Sequence, residues 1–145
     1  MEPDLPAISA LHAVCFEDAW RTDLLRRILD APRAFGLSVR EDGEVIGFVL
    51  FRGASDEGEI LSLAVTPSRR REGLGHALLD AAFERAAGLG ITGLFLEVAE
   101  DNHAARNLYG ALGFRQVGRR AGYYRRRLGP SVDALTLRLD MPAAP

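Results

Sequence analysis

The sequence predicts an α/β (α+β) domain built on a single mixed sheet with helices on both faces. Three observations lead there. Apolar residues recur at helical spacing in four stretches and as runs or alternations in six others, in the order α-α-β-β-β-α-β-α-β-β. Asp42-Gly43 lies between two of the strand-like runs and is a two-residue hairpin turn signal. The run Arg70-Arg71-Glu72-Gly73-Leu74-Gly75 sits where a strand hands over to a helix. With 145 residues, 48% of them apolar and 26% charged, the chain has the make-up of one globular domain spanning 1–145.

Taken in order, Leu5, Ile8, Leu11, Ala13, Val14 and Phe16 predict a helix over 5–17, and Leu24, Leu25, Ile28 and Leu29 a second over 22–30, ended by Pro32. Phe35 to Arg40 and Val45 to Arg52 are the hairpin strands, and Gly53 to Gly58 is expected as a polar loop. Ile60 to Val65 is a strand. Leu74, Ala77, Leu78, Ala81 and Ala82 mark one face of a helix over 74–88, closed by Gly88 and Gly90. Leu94 to Ala99 is a strand, Asp101 or Asn102 caps a helix over roughly 103–112, and Gly113 fits its C′ position. Phe114 to Val117 and Ala134 to Leu139 are the last strands, before the tail Pro142-Ala143-Ala144-Pro145.

Composition narrows the function. A net charge of −2 argues against a bulk nucleic-acid binder, and no direct DNA binding is expected. The cluster Arg119, Arg120, Arg125, Arg126 and Arg127 is either a solvated face or a site for a phosphate or acidic partner. The single cysteine, Cys15, cannot form an internal disulfide and is expected as a buried thiol in an apolar helix; His12 lies one turn earlier, but nothing else suggests a nucleophile. The histidines His12, His76 and His103 lack metal-ligand spacing, so no metal is expected. An acidic N-terminus and the lack of a long apolar run point to a cytoplasmic protein without a membrane segment.

A helix N-terminus offers unpaired N–H groups and partial positive charge, both suited to phosphate, and glycines let the backbone approach it. Arg70 and Arg71 add charge that phosphate oxygens can use. The pyrophosphate of a large cofactor is the guest this arrangement suits; the alternative is a surface loop that caps a helix. Neither G-x-G-x-x-G nor G-x-x-x-x-G-K-[ST] is present; the order is R-x-x-G-x-G.

A carboxylate inside Leu94-Phe95-Leu96-Glu97-Val98 is costly unless solvated or paired. Alternation puts Glu97 on the face of Phe95, opposite Leu94, Leu96 and Val98. It is a candidate base, or else a strand-end glutamate partnered by an arginine. Tyr109, on the following helix, is a candidate proton donor or a core aromatic. Tyr123 and Tyr124 either line a substrate pocket or cover the sheet.

The segment Leu61-Ser62-Leu63-Ala64-Val65-Thr66-Pro67, the loop Arg70 to Gly75, and Leu96-Glu97-Val98 followed by Asn102, Ala105, Leu108-Tyr109 and Leu112-Gly113-Phe114 stand in the order seen in the GCN5-related N-acetyltransferases (GNAT), which the chain resembles. Within that family it is most similar to the RimI type, the ribosomal-protein-alanine N-acetyltransferases. His12, Phe16 and Trp20, the Leu-Glu-Val setting of Glu97, Tyr109, and Arg119-Arg120 with Tyr123-Tyr124 and Asp133-Ala134 carry that narrower likeness.

The resemblance implies a GNAT fold and acetyl transfer from acetyl-coenzyme A to a protein N-terminal α-amino group, the alanine of a small-subunit ribosomal protein, directly in a ternary complex. It implies that the backbone of Leu63, Ala64 and Val65 holds the pantetheine arm, that Arg70, Arg71, Glu72, Gly73, Leu74, Gly75 and His76 hold the pyrophosphate, and that Asn102 bonds the pantetheine amides. Glu97 is then the general base, Tyr109 the general acid, and Trp20, Tyr123 and Tyr124 contact the acceptor. The partner is the acceptor protein, with the enzyme a monomer or weak homodimer.

The chain departs from the family at three places. Glu72 stands where a basic or neutral residue is usual, and must point away from a pyrophosphate or pair with Arg69. Asp18-Ala19-Trp20-Arg21 replaces a Pro-Trp-Ser pattern, and Arg125, Arg126 and Arg127 make a usually less charged segment basic. These leave two other readings: a small-molecule amine acetyltransferase (amino acid, polyamine or aminoglycoside), and an acyl-coenzyme A-binding module without turnover.

Overall fold

Asp42 and Gly43 both take positive φ, 52° and 81°, and fold β1 (Ala34–Glu41) back onto β2 (Glu44–Ala54) as the turn signal requires. The structure is a computed structural model and describes residues 4–16, 20–126 and 128–141. Arg127 of the arginine cluster, Asp18-Ala19 before Trp20, and the tail 142–145 lie outside the described residues.

The expected loop over 53–58 is instead a second tight hairpin. β2 continues to Ala54, a turn at Ser55-Asp56 follows with Ser55 at φ 57°, and β3 runs Glu57–Val65. Gly53 pairs with Gly58 and Ala54 with Glu57. The glycine that suggested a loop is there for packing: a Cβ on Gly58 would lie 2.4 Å from the buried Phe51 ring.

Between Leu50 and Phe51 the register on β3 skips from Ser62 to Ile60, so Leu61 is an extra, bulged residue. Beyond β3, a 3-10 turn over Pro67–Arg69 leads through the glycine loop into α3 (Leu74–Gly88), which returns the chain to β4 (Gly93–Ala99). β4 runs parallel to β3 only from Glu57↔Gly93 to Ile60↔Leu96, and there the ladder stops. Then come α4 (His103–Ala111), β5 (Arg115–Tyr124) and β6 (Val132–Asp140). The six-stranded sheet has the order β1-β2-β3-β4-β6-β5. β5 is longer than the expected strand over 114–117 and carries Tyr123 and Tyr124. As an exposed edge it lacks the apolar alternation that betrays a strand.

Helices cover both faces, as expected. α1 (Leu5–Cys15) and α2 (Thr22–Leu29) lay Ile8, Leu11 and Leu25 on Phe48, Leu50 and Ala64. On the other face Leu78, Leu79, Ala82 and Ala86 of α3 pack with Val49, Phe51, Ile60, Leu94, Leu96 and Leu137. Cys15 is only half-buried, a correction to the expected buried thiol: it ends α1 beside the loop that precedes α3, where Arg70 Nη2 lies 3.6 Å from Sγ.

His12 ties α1 to the segment before α2. Its Nδ1 accepts the Trp20 N–H at 3.1 Å, and its ring stacks on the Trp20 indole at 4.7 Å. Burial holds its pKa down at about 4, so the imidazole is neutral and keeps that acceptor free.

Two outcomes are expected. The unfolded chain binds a proton at His12 near pH 6.5 and the folded chain only near 4, so stability falls as pH drops through that window and His12 adds no further loss below it. Thermal unfolding of wild type and His12→Gln across pH 4–7 checks this; a wild-type profile as flat as the variant's contradicts it. Gly58→Ala should cost about 1–3 kcal/mol by overpacking against Phe51, read from urea unfolding.

Candidate active site

The bulge at Leu61 and the end of the β3–β4 ladder at Ile60↔Leu96 open the sheet in its middle. A bulge adds local twist, so the far half of β3 turns away from β4 and leaves one of its backbone edges without a strand partner. The resulting cleft of about 970 Å³ is lined by both diverging strands, α1, α4 and the end of β5. Of the site residues the resemblance implies, Trp20, Leu63, Glu97, Asn102, Tyr109, Tyr123 and Tyr124 line it. Ala64, Val65 and the run Arg70 to His76 do not.

Glu97 sits on β4 opposite Thr136 of β6, on the face away from Leu96 and Val98, as alternation predicted. Its side chain is 22% exposed, and Arg120 Nη2 from edge strand β5 reaches it at 3.3 Å. The two open alternatives for this residue therefore coexist: a carboxylate in the cleft and an arginine partner. Arg120 also lies over the Tyr123 ring at 5.1 Å.

Tyr109 projects from α4 and packs edge-on against Phe114, with centroids 5.5 Å apart. Burial first, and the neighbouring Tyr124 second, push its pKa up to about 12, so the phenol keeps its proton throughout the neutral range. Tyr124 is shifted upward too, by burial and then by Glu97. A carboxylate and a protonated phenol lining one cleft suit a reaction in which one group loses a proton and another gains one.

At the top of β3 the loop before α3 has an anion-binding shape. Arg71 takes φ 66° and Gly73 φ 82°, and α3 begins with no side-chain cap. Left-handed residues in such a turn gather successive N–H groups into a concavity, and an uncapped N-terminus adds its own free donors. A pyrophosphate fits that donor set. Glu72 is turned aside: Arg69 Nε donates to both its carboxylate oxygens at 3.0 Å, and Arg69 also pairs with Glu41. That is the pairing Glu72 required. His76 pairs with Asp80 on the exposed side of α3.

Three expected contacts have partners inside the protein. The Val65 carbonyl accepts from Arg70 Nε at 3.1 Å, so Arg70 reaches back to β3. Asn102 caps α4, its Oδ1 accepting from Ala105 N at 3.1 Å. Arg119 bridges Asp133 and Glu100, and Arg126 pairs with Asp101, so much of the arginine cluster answers carboxylates of the chain itself.

One group escaped the sequence reasoning. Ser62 is buried beside the bulge, and its Oγ has no hydrogen-bond partner among the described residues. A hydroxyl inside an apolar strand run was the available signal. Among the described residues no helix is long and apolar enough to cross a membrane.

Comparison with known proteins agrees with this geometry. The sequence profile of the acetyltransferase (GNAT) family matches residues 5–114. N-alpha-acetyltransferase RimI of Mycobacterium tuberculosis is 34% identical over 143 residues, covering 94% of this chain and 87% of that protein. The [ribosomal protein bS18]-alanine N-acetyltransferase of Escherichia coli K12 is 34% identical over 92 residues, 63% of this chain and 62% of that protein. The crystal structure of the ribosomal-protein-S18-alanine N-acetyltransferase from Escherichia coli superposes with a TM-score of 0.89 at 28% identity, over 98% of this chain and 90% of that one. With its opened sheet, uncapped α3 and a carboxylate and a phenol lining one cleft, the chain belongs to the GNAT family of acetyltransferases, in its RimI branch.

Proposed function

We propose that this enzyme transfers an acetyl group from acetyl-coenzyme A to the N-terminal α-amino group of a protein, the alanine of a small-subunit ribosomal protein, by direct transfer in a ternary complex in the cytoplasm. The observation that carries the reading is that Glu97 and protonated Tyr109 line one cleft, opened by the β3–β4 divergence. The RimI relative, the Escherichia coli relative named for bS18 alanine and the Escherichia coli structure named for S18 alanine support the choice of acceptor.

When bound, acetyl-coenzyme A supplies a thioester: an activated acyl carbon with a thiolate leaving group. In this reading the N–H groups at α3 and its loop hold the pyrophosphate, with Arg71 as the adjacent charge, and the free edge of Leu63 to Val65 holds the pantetheine arm. Asn102, whose Oδ1 is used as a cap, offers its amide N–H₂. Backbone N–H groups on β3 stabilise negative charge on the acetyl oxygen.

Glu97 takes the acceptor's proton, directly or through water. An α-amino group, with a reference pKa of about 7.7–8, gives up its proton more readily than a lysine at about 10.4. Tyr109 donates a hydrogen bond to the departing sulfur. Its pKa of about 12 lies above the ~8.5 of a reference thiol, so hydrogen-bond donation comes first and solvent completes the proton balance. Trp20, Tyr123 and Tyr124 surround the acceptor's first residue.

Glu97→Gln and Tyr109→Phe should each lower kcat by about 10²–10⁴-fold with the fold intact by circular dichroism. Near-normal turnover in both would sink the assignment. Gly73→Ala forces a Cβ into φ 82° and should weaken coenzyme A binding, measured calorimetrically, more than it changes turnover at saturation. The deciding experiment is acetyl transfer to an amine panel, read by mass: peptides with free Ala, Ser, Thr or Met termini, N-blocked lysine peptides, and small amines. Modification confined to free N-termini, Ala foremost, is the expected result. Modification of small amines alone would replace this reading with the small-molecule one, and coenzyme binding without any transfer would leave a binding module.

A further inference from the structure

A second, smaller groove of about 400 Å³ opens beside the cleft, and Leu96 and Glu97 line both. It lies on the sheet face that carries α1 and α2, beyond the parts of β2 and β3 that α1 covers. There Glu97 and Phe95 of β4 lie beside Thr136 and Arg138 of β6, and Arg52 of β2 pairs with Glu59 of β3 in the same row as Phe95. Phe95 is its half-buried floor, with the Arg138 guanidinium 4.7 Å from its ring centroid. Neither helix face nor strand covers this area among the described residues.

Its charges are matched within the protein. Arg52 holds Glu59 at 3.2 Å, and Arg138 holds Glu57 at 3.0 Å. A rim balanced in this way has little net attraction for a polyanion or a polycation. It does offer alternating donors and acceptors, together with the Thr136 hydroxyl, over an aromatic floor. That combination suits a polypeptide backbone, whose amides present both kinds of group. Along β4 from Glu97 to Phe95, and along β3 from Glu59 to Glu57, strand geometry gives about 7 Å each, together the length of about four extended residues.

We infer that this groove receives the residues that follow the acetylated one, so that the acceptor chain runs from Glu97 across Phe95 toward the β2–β3 hairpin. The inference rests on the N-terminal acetyltransferase reading above and adds to it a length-dependent acceptor site. Such contacts with parts of the substrate remote from the reacting nitrogen raise kcat/KM for a longer acceptor and are not made by a short one.

The test compares two peptides with the same first three residues, a tripeptide amide and an octapeptide amide, on wild type, Phe95→Ala and Glu59→Arg. The ratio of kcat/KM for octapeptide over tripeptide is the readout, since any difference in folded fraction cancels. Wild type should favour the octapeptide by roughly tenfold or more, and both variants should bring the ratio close to one. A wild type that uses both peptides equally, or variants that keep the wild-type ratio, would overturn the groove while leaving N-terminal transfer intact. Failure of wild type to acetylate either peptide would instead remove the underlying reading, and the groove's role with it.

Discussion

Everything specific to this molecule depends on two neighbouring parallel strands parting. β3 and β4 share a ladder for four residue pairs and then diverge, with one extra residue, Leu61, inserted on β3 where the divergence begins. In an ordinary sheet the next pairs would close hydrogen bonds and bury their side chains. Here the backbone edge of β3 is left open, Glu97 keeps access to solvent in the middle of an apolar strand, and α4 can bring Tyr109 to the same space. The cost of an interrupted ladder is offset by the core on the α3 side, where Leu78, Leu79, Leu94 and Leu96 remain packed.

The second constraint is electrostatic. Arginines and carboxylates pair where an unpaired charge would spoil the site. Arg69 turns Glu72 aside from the loop before α3 and ties that loop to Glu41 at the end of β1, Arg120 steadies Glu97, and Arg119 spans Glu100 and Asp133. The Gly122 N–H, with Arg119, holds the Asp133 carboxyl below its usual range, and pins the bend in β5 that precedes Tyr123 and Tyr124. Exposed pairs of this kind add little to stability because water and salt screen them, so their consequence is geometry. The departures from the family pattern at Glu72 and Arg126 thus have carboxylate–arginine partners within the chain.

A third feature connects stability to the cleft. The neutral His12 is buried among Phe16, Trp20 and Phe48 and holds the chain entering α2 through one hydrogen bond. Because Trp20 and His12 also line the cleft, the packing that anchors α1 shapes the wall facing Glu97.

Much was legible in the residues alone. Local periodicity determined which stretches are helix and strand, the Asp42-Gly43 turn, the glycine loop at the start of α3, and the face of β4 on which Glu97 stands, because each depends on neighbours within a few positions. Edge strand β5 and the hairpin at Ser55-Asp56 were misjudged for the same reason. An exposed edge carries no alternation, and the two glycines flanking the second turn answer to Phe51 and to close strand pairing rather than to a loop. Only the tertiary structure decided the rest: the bulge that parts β3 from β4, the half-exposed Cys15 beside Arg70, the unpartnered Ser62 hydroxyl, the choice of Arg120 as the partner of Glu97, and the groove that continues from the cleft. These arise from contacts between segments far apart in the chain, and no local pattern of residue types encodes which of them will meet.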